Sequence, residues 1–497
     1  MLQTLIVAGR DRHRLQEIAQ VAGRFGLGVL AARFGLGSQG EEPAPTDLPR
    51  RTRLALEALG PTFVKLGQIL ATRGDLLPPD WIAEFERLHS SAPTLPFDDL
   101  RAAVEVALGE PPETAFATFD PEPLAAASMA QVHRATRHDG RPIVLKIRRP
   151  GIRPRIEADL RLIAQTAALV EQTSAEARRF APVALVRELA AAMLDECDFT
   201  QEGRNSDRLR ADFARDPRVV VPTIHWDVSS DALLVMDYVA GVRPTGAAPL
   251  RAAGIDPAAI AALGADIVLD MVLINGRFHA DPHPGNLLCL PGNRIALLDL
   301  GMIGHVSPRR REEFVGFVQS LQRGDPALLA DILGAWSAGS GVDPDAVRSV
   351  ADRLVAHHGG RLVLRAIVTD LLAAMRETGL AMPGDLLLIF KALITIDGVL
   401  ATIQPDFDLS AALRRATLRI VQARLSADHW GPVAQGVAWE LGRIGDDAPR
   451  LLRLLVRRLE AEPAMPVTVE PDRAGPRWIA AAIMAGATLI AAAGLLG

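Results

Sequence analysis

His279-Ala280-Asp281-Pro282-His283-Pro284-Gly285-Asn286 is the stretch on which the reading of this chain turns. An acid and an amide stand five positions apart, on a segment that two prolines and a glycine hold as a rigid loop. A carboxylate so placed can orient or deprotonate a nucleophile, and an amide oxygen can hold a hard cation. A rival reading makes His279, His283 and Asp281 a metal cluster. The prolines break the helix that a His-x-x-x-His pair needs in order to present both rings on one face. Thirteen residues after Asn286, the apolar run Ile295-Ala-Leu-Leu ends in Asp299-Leu300-Gly301. An acid at the end of a short buried strand supplies another oxygen ligand.

The basic partner lies upstream. The small-residue run Leu124-Ala125-Ala126-Ala127-Ser128 opens a strand hairpin that delivers Lys146 eighteen residues later. Strand, loop, strand, then a strand bearing Lys is the layout by which kinase folds cover and neutralise ATP phosphates. Glycines usually line that loop; alanines here restrict positive φ and thicken it by a methyl each. Lys146, Asp281, Asn286 and Asp299 occur in kinase order and at plausible spacing. A fourth segment, Glu196-Cys-Asp198-Phe-Thr-Gln-Glu202-Gly-Arg-Asn205, places Glu202 on a helix where a kinase keeps the acid that orients its lysine. Glu196 and Asp198 are additional acids, and a solvated helix face is the plainer account of them.

Composition narrows the chemistry further. Three lysines, Lys65, Lys146 and Lys391, stand among fifty-one arginines. Where the chain has drifted so far toward Arg, a retained lysine marks a place that needs a compact ammonium rather than a planar fork. Lys65 sits in Gly60-Pro-Thr-Phe-Val-Lys65-Leu-Gly-Gln68, and Lys391 in an apolar run that suggests no role. The net charge of −5 and the lack of a basic arm argue against a nucleic-acid partner. Two cysteines, Cys197 and Cys289, have neither metal spacing nor a disulfide framework, which fits a reducing compartment. No signal peptide is expected, because Arg10-Asp11-Arg12 interrupts the short apolar start. The acids Asp11 and Glu17 speak against a transit peptide, so a bacterial, cytosol-facing protein is expected.

The fold class is α+β. Residues 1–36 read as amphipathic helix, followed by the linker Gly37–Pro49, then helix over Arg50–Leu70 and Trp81–Leu108. Strands are expected from Thr118, at Met129–Thr136 and at Pro142–Ile147, with Asp139-Gly140 as the hairpin turn. One long helical stretch covers Ile156–Phe213, weakest at Asp195–Thr200. Val219–Pro222, Ile224–Val228 and Leu233–Val239 read as strands, and after Pro249 the chain reads as helix except at Arg294–Asp299. The expected division is a helix and linker over residues 1–49, a helical extension over 50–117, a sheet lobe over 118–240 and a helical lobe over 241–430. A basic segment follows over 431–476, with its amphipathic helix at Pro449–Ala461, and a transmembrane helix over 477–497. Trp478–Gly497 is twenty residues without a charge, enough to cross a bilayer core, and Arg473 and Arg477 keep the preceding bulk cytoplasmic. The alternative is a buried Ala-rich helix, which Ala482/Gly486 spacing would also suit.

Together these motifs make the chain resemble the UbiB-type family of atypical kinase-like proteins, also called aarF-domain kinases, over about residues 50–410. Lys65-Leu-Gly-Gln68 matches the family's Lys-x-Gly-Gln motif, with Arg73-Gly-Asp75-Leu-Leu-Pro78 continuing it. Ala125-Ala126-Ala127-Ser128 matches its alanine-rich loop, Glu196-Cys-Asp198 its Glu-x-Asp motif, and Asp299-Leu-Gly its version of Asp-Phe-Gly. The resemblance implies an atypical protein-kinase-like two-lobed fold, with extra N-terminal helices and a membrane helix at the C-terminus. It implies ATP or ADP bound with Mg2+, and an ATPase connected with ubiquinone biosynthesis on the cytoplasmic face of a bacterial inner membrane. Implied partners are a membrane lipid or quinone precursor, quinone-biosynthesis proteins and a second copy of the chain. Carried over residue by residue, Lys65 meets Glu196, Gln68 lines the nucleotide pocket, and Glu196 and Asp198 serve this family-specific cover. Lys146, held by Glu202, contacts the phosphates under the alanine loop, and Asn286 and Asp299 carry Mg2+. Asp281 orients water or a hydroxyl, and Met236-Asp237-Tyr238-Val239 forms the adenine hinge. Family members commonly end in two membrane spans, whereas Trp478–Gly497 suffices for one.

Overall fold

The computed structural model describes residues 11–26, 47–71, 77–88, 93–173, 178, 181–337, 342–360, 363–380, 382–407, 411–413, 415, 416 and 439. The expected transmembrane segment at 477–497, the amphipathic helix at 449–461, most of the 37–49 linker and Arg73-Gly-Asp75 lie outside them. Contacts divide the chain into two units, Met1–Val421 and Gln422–Gly497, and the described sheets and helical layers belong to the first.

The N-terminal helices are α1 (Arg12–Arg24), α2 (Leu48–Leu59), α3 (Pro61–Ala71) and α4 (Pro79–Phe85). Arg14 of α1 is buried, and a bidentate pair to Asp159 offsets the lost hydration, Nε–Oδ1 2.5 Å and Nη2–Oδ2 3.0 Å. A further Nη2 bond reaches the Leu59 carbonyl at 2.6 Å and ties α1 to the end of α2. Gly67 lets α3 approach closely, since a Cβ there would meet the Leu88 and Leu56 side chains at 2.3 and 2.9 Å. The helices expected over Trp81–Leu108 are α4, which ends at Phe85, and α5 (Phe97–Leu108), with a break at Pro93–Pro96 before the second. Proline before a helix start disfavours helix at the preceding residue, which explains the break.

After a short helix α6 (Pro112–Ala115), four strands build one antiparallel sheet in the order β1-β2-β3-β5. They are β1 (Thr118–Ala126), β2 (Ala130–Thr136), β3 (Pro142–Arg148) and β5 (Leu233–Asp237). The turn between β2 and β3 has Gly140 at φ 83°, and the Asp139 carboxylate accepts from the Arg141 amide. Alternation then sorts the faces. Ile143, Leu145 and Ile147, with Leu233 and Val235, pack against Phe97, Leu100 and Val104 of α5. Each such side chain contributes about 1.5–3 kcal/mol on full burial. Lys146 is left to the opposite face.

A helical hairpin follows, α7 (Ile152–Thr173) and α8 (Pro182–Glu196), and then α9 (Phe199–Asp212). The long helical stretch expected here is three helices, and one of its breaks falls in the weak segment Asp195–Thr200. Ala181 turns left-handed at φ 45° before Pro182, and the Asp198 carboxylate caps α9 by accepting from the Thr200 amide. Ile224–Val228, expected as a strand, is one bridge at Ile224 and a 3-10 turn at Trp226–Val228.

The second lobe is mostly helical but carries strands that its sequence does not announce. After β4 (Val219–Val220), α10 (Ala247–Ala252) and α11 (Pro257–Asp270), a π-helical turn over Met271–Asn275 ends at Gly276, φ 68°. Then come β6 (Arg277–His279), β7 (Leu287–Leu290), β8 (Arg294–Leu297) and β9 (Ile303–His305). β6 pairs with β9, and β8 sits between β4 and β7. Phe278 faces Gly304 across the β6–β9 pair, and a Cβ on Gly304 would lie 2.3 Å from the buried Phe278 ring. The lobe closes with α12 (Pro308–Arg323), α13 (Pro326–Trp336), α14 (Pro344–His358), α15 (Leu364–Thr378) and α16 (Gly384–Ile403). The continuous segment Pro257–Asn275 and α16 are long and apolar enough to cross a membrane, yet about two thirds and one half of them are buried inside this lobe. They are its core helices.

A buried polar network joins the sheet to the segment before α5. The Gln131 amide exchanges two 2.9 Å bonds with the Leu95 backbone and donates to His133 Nε2 at 3.1 Å. His133 Nδ1 therefore carries the proton and donates to the Asp120 carbonyl at 3.0 Å. Burial pulls the imidazole below its ordinary pKa of 6.5, and the ring is neutral. Because the unfolded chain binds the extra proton more readily, this stability is full above about pH 6.5 and is lost as pH falls, by at most about 1.4 kcal/mol per pH unit. His133→Asn offers a donor to Asp120 but does not titrate. Between about pH 7.5 and 5.5 its melting temperature is expected to fall less steeply than that of the wild type. Equal slopes would place the acid sensitivity elsewhere.

Candidate active site

Strand β3 carries Lys146 into a cluster of acids. Its Nζ lies 2.9 and 2.7 Å from the Glu202 carboxylate oxygens and 3.2 Å from Asp299 Oδ1. The Phe199 ring centroid is 5.4 Å away. Burial alone would lower the lysine pKa, but Asp299 and Glu202 outweigh it and hold the ammonium above its ordinary value. Burial lifts the Glu202 carboxyl to about 7, against the pull of Lys146 and with Asp299 adding to the rise. Asp299 is about half exposed, and Lys146 holds its carboxylate below the usual range.

Asp299 sits at φ 51°, a left-handed conformation that few non-glycine residues adopt, although Asp tolerates it better than most. Two contacts hold it there. Leu300 is buried in the helical-lobe core, and its carbonyl accepts from Asn205 Nδ2 of α9 at 3.1 Å. A leucine at this position thus anchors the turn from behind.

The loop bearing Asp281 hangs from the β6–β9 pair, where the Ala280 amide donates to the Met302 carbonyl. His279 Nδ1 accepts from the Asp281 amide, and Asn286 Nδ2 donates to the Asp281 carbonyl at 3.2 Å. The Asn286 carbonyl accepts from the Leu298 amide, so the loop is tied to the residue before Asp299. Burial pulls the His279 imidazole below its ordinary pKa, against Asp299 and Asp281. His283 caps its own turn, accepting from the Gly285 amide at Nδ1. The two rings therefore hold the loop's shape, each through Nδ1.

The other expected site residues divide. Lys65 of α3 is ion-paired with Glu196 at the end of α8. Gln68 donates to the Leu88 carbonyl at 3.2 Å, and its amide supports the cover. Asp198 serves as the α9 cap, a role its spacing to Gln201 could have suggested. Asp237 accepts from the Thr223 amide and from His225 Nε2. Met236 packs beside Ala130, Phe199, Ile224 and Leu234 on the Lys146 face, and Val239 is half-buried just beyond. The alanine run ends β1: Ala125 and Ala126 are paired to β2, while Ala127 and Ser128 form the turn.

Arg149 is a structural residue that the motifs do not single out. Its guanidinium donates to the Ala127 carbonyl at 2.9 Å and to the Pro93 carbonyl at 2.6 Å, and its amide donates to Met129. Met129, at the loop tip, packs among Leu66 and Ile69 of α3. The alanine loop is therefore fastened both to the helical cover and to the segment before α5. Arg-Pro-Gly just after the lysine strand was the available signal.

Comparison with known proteins gives the family and the fold. Residues 87–333 match the model of the ABC1 atypical kinase-like domain, and residues 347–408 match that of the UbiB helical domain. A protein of Marinobacter nauticus named "Probable protein kinase UbiB" is 33% identical over 373 residues, covering 72% of this chain and 67% of its own length. One of the same name from Xylella fastidiosa is 31% identical over 472 residues, covering 90% and 85%. Among solved structures, the complex of Rv3197 with erythromycin from Mycobacterium tuberculosis superposes with a TM-score of 0.50 at 22% identity. It covers 72% of this chain and 92% of that one, and speaks to the fold alone.

Arg149→Ala is expected to raise hydrogen exchange at residues 125–130 and 93–96 together. Arg149→Lys should not restore protection, because an ammonium lacks the planar fork that spans two carbonyls. A response confined to one segment would show that the guanidinium does not bridge them.

Proposed function

The chain belongs to the UbiB family of ABC1 atypical kinase-like proteins, and from that premise we propose that it binds ATP with Mg2+ and hydrolyses it in support of ubiquinone biosynthesis at a membrane. The observation that carries the reading is Lys146 Nζ held between Glu202 and Asp299, with Asp281 and Asn286 presented on a loop tied to the same turn.

The donor set suits a hard cation: Asp299 offers a half-exposed carboxylate, and Asn286, whose Nδ2 is engaged, offers its amide oxygen. Asp299 and Asn286 would hold Mg2+, and the ion would supply neutralisation of the phosphate charge. Everything else is done by the chain. Lys146, kept protonated by its two acids, meets the phosphates, and Glu202 fixes where its ammonium points. The turn at Ala127-Ser128 covers them, held in place by Arg149. Asp281 orients the attacking water and takes its proton. Phosphoryl transfer asks chiefly for positioning and charge neutralisation, and these residues supply both.

The acceptor is water or a small lipid-related hydroxyl rather than a peptide. α3 lies against α7 and α8 through Leu66 and Ile69, and Lys65 closes onto Glu196, which favours an occluded groove. Location on the cytoplasmic face of a bacterial inner membrane rests on the uncharged sequence 478–497 and the basic segment before it.

The test is Mg2+-dependent ATP hydrolysis by the purified protein, with and without anionic liposomes. Asp281→Asn is expected to lose turnover by about 10²–10⁴-fold while ATP affinity stays within about threefold. Unchanged turnover in the variant would refute the role given to Asp281. Nucleotide binding without hydrolysis in the wild type would make the protein a nucleotide-gated membrane scaffold instead.

A further inference from the structure

Away from the nucleotide-site residues, the last two residues of α14 and one residue of α15 bring three metal-ligating side chains together. His358 Nε2 lies 2.8 Å from Asp370 Oδ2, and His357 Nδ1 lies 3.5 Å from the same oxygen. The three ligand atoms all fall within 4.8 Å of one another. Consecutive helix residues point about 100° apart and do not normally share a target. They do so here because one ring uses its near nitrogen and the other its far one.

A helix-to-helix tie needs only one of these rings. His358, 10% exposed, already provides it. His357 is 65% exposed, and a second imidazole at 3.5 Å from a satisfied carboxylate adds little stability in water. What it does add is a second nitrogen donor. Two imidazoles and a carboxylate from two elements make an N2O set, the ligand class that suits zinc and leaves a fourth position for solvent. Ligand atoms around tetrahedral zinc stand about 3.3 Å apart, given bonds of about 2.0–2.1 Å. The separations here need to change by no more than about 1.5 Å to reach that value. Imidazole nitrogens also select against the Mg2+ expected at Asp299 and Asn286.

We propose that His357, His358 and Asp370 bind a divalent cation of the zinc class, fastening the end of α14 to α15 with water as the fourth ligand. The full-length protein, stripped of metal, is titrated with Zn2+ alone by calorimetry and with Co2+ by visible absorption. Mg2+ serves as the control. The wild type is expected to take up one equivalent of Zn2+ at these residues with micromolar or tighter affinity, to melt at a higher temperature when loaded, and to give the intense Co2+ bands of a tetrahedral site. His357→Ala removes an exposed ring and leaves the His358–Asp370 tie, so it should fold as the wild type does. It is expected to weaken Zn2+ binding at least ~10-fold and abolish the Co2+ bands. Asp299→Asn, in the nucleotide site, is expected to bind Zn2+ as the wild type does. No uptake by the wild type at ~100 µM Zn2+ would overturn the site. Equal affinity in His357→Ala would also overturn it and place the cation elsewhere.

Discussion

One ammonium organises the centre of this protein. Lys146 reaches from the sheet, Glu202 from α9, and Asp299 from the turn after β8, and each is held by something behind it. Removing either acid would leave a nearly buried charge short of a partner, which typically costs 3–5 kcal/mol in a buried pair, less whatever solvent reaches the half-exposed Asp299. Such clusters rarely repay their desolvation as stability. The left-handed backbone at Asp299 adds a further cost, of order 1–3 kcal/mol for strain of this kind. Charge burial and backbone strain thus meet at one point, which is the point the proposed reaction would use.

The helix α3 that carries Lys65 is not a separate appendage. Met129 at the tip of the alanine loop is buried among Leu66, Ile69, Met193 and Cys197, so loop and cover share one apolar cluster. Arg149 fixes the same loop from the other side, and Gln131, itself bonded to His133, fixes the neighbouring Leu95. A protein kinase leaves its phosphate loop free to move over the nucleotide. Here the loop's freedom depends on whether α3 stays seated, and Lys65–Glu196 and Gln68–Leu88 are polar contacts that seat it. If the proposed nucleotide binds beneath this loop, its occupancy and the seating of α3 would be coupled energetically, each biasing the other.

How much of the fold is legible in the sequence depends on how local each signal is. The hairpin carrying Lys146 is readable because alternation and an Asp-Gly turn are properties of a dozen adjacent residues. The helix of Glu202 is readable too, and its start lies in the weak segment Asp195–Thr200, although Asp198 reads as one acid of a motif when its spacing to Gln201 also fits a cap. Strands β6, β7 and β9 escape notice: three or four residues among prolines and glycines show no period, and their pairing is settled by residues far along the chain. Asp237 falls among the hinge residues on position alone, yet its carboxylate is occupied by Thr223 and His225. Arg149 does not stand out in a composition so rich in arginine, and the Arg-Pro-Gly after the lysine strand signals a turn rather than its partners. Its bonds to two carbonyls exist only in three dimensions.

The scarcity of lysine gains physical content from where the three residues lie. Lys146 fits among two carboxylates and a phenyl ring, where a guanidinium would need more width and five satisfied donors instead of three. Lys65, 14% exposed, is similarly confined against Glu196 beneath a packed helix. Lys391 is exposed on α16, where nothing in the surroundings forbids arginine. Composition bias therefore separates positions only where shape is constrained. At an exposed site the surviving residue carries no message, which is why the same rarity points to chemistry at two lysines and to nothing at the third.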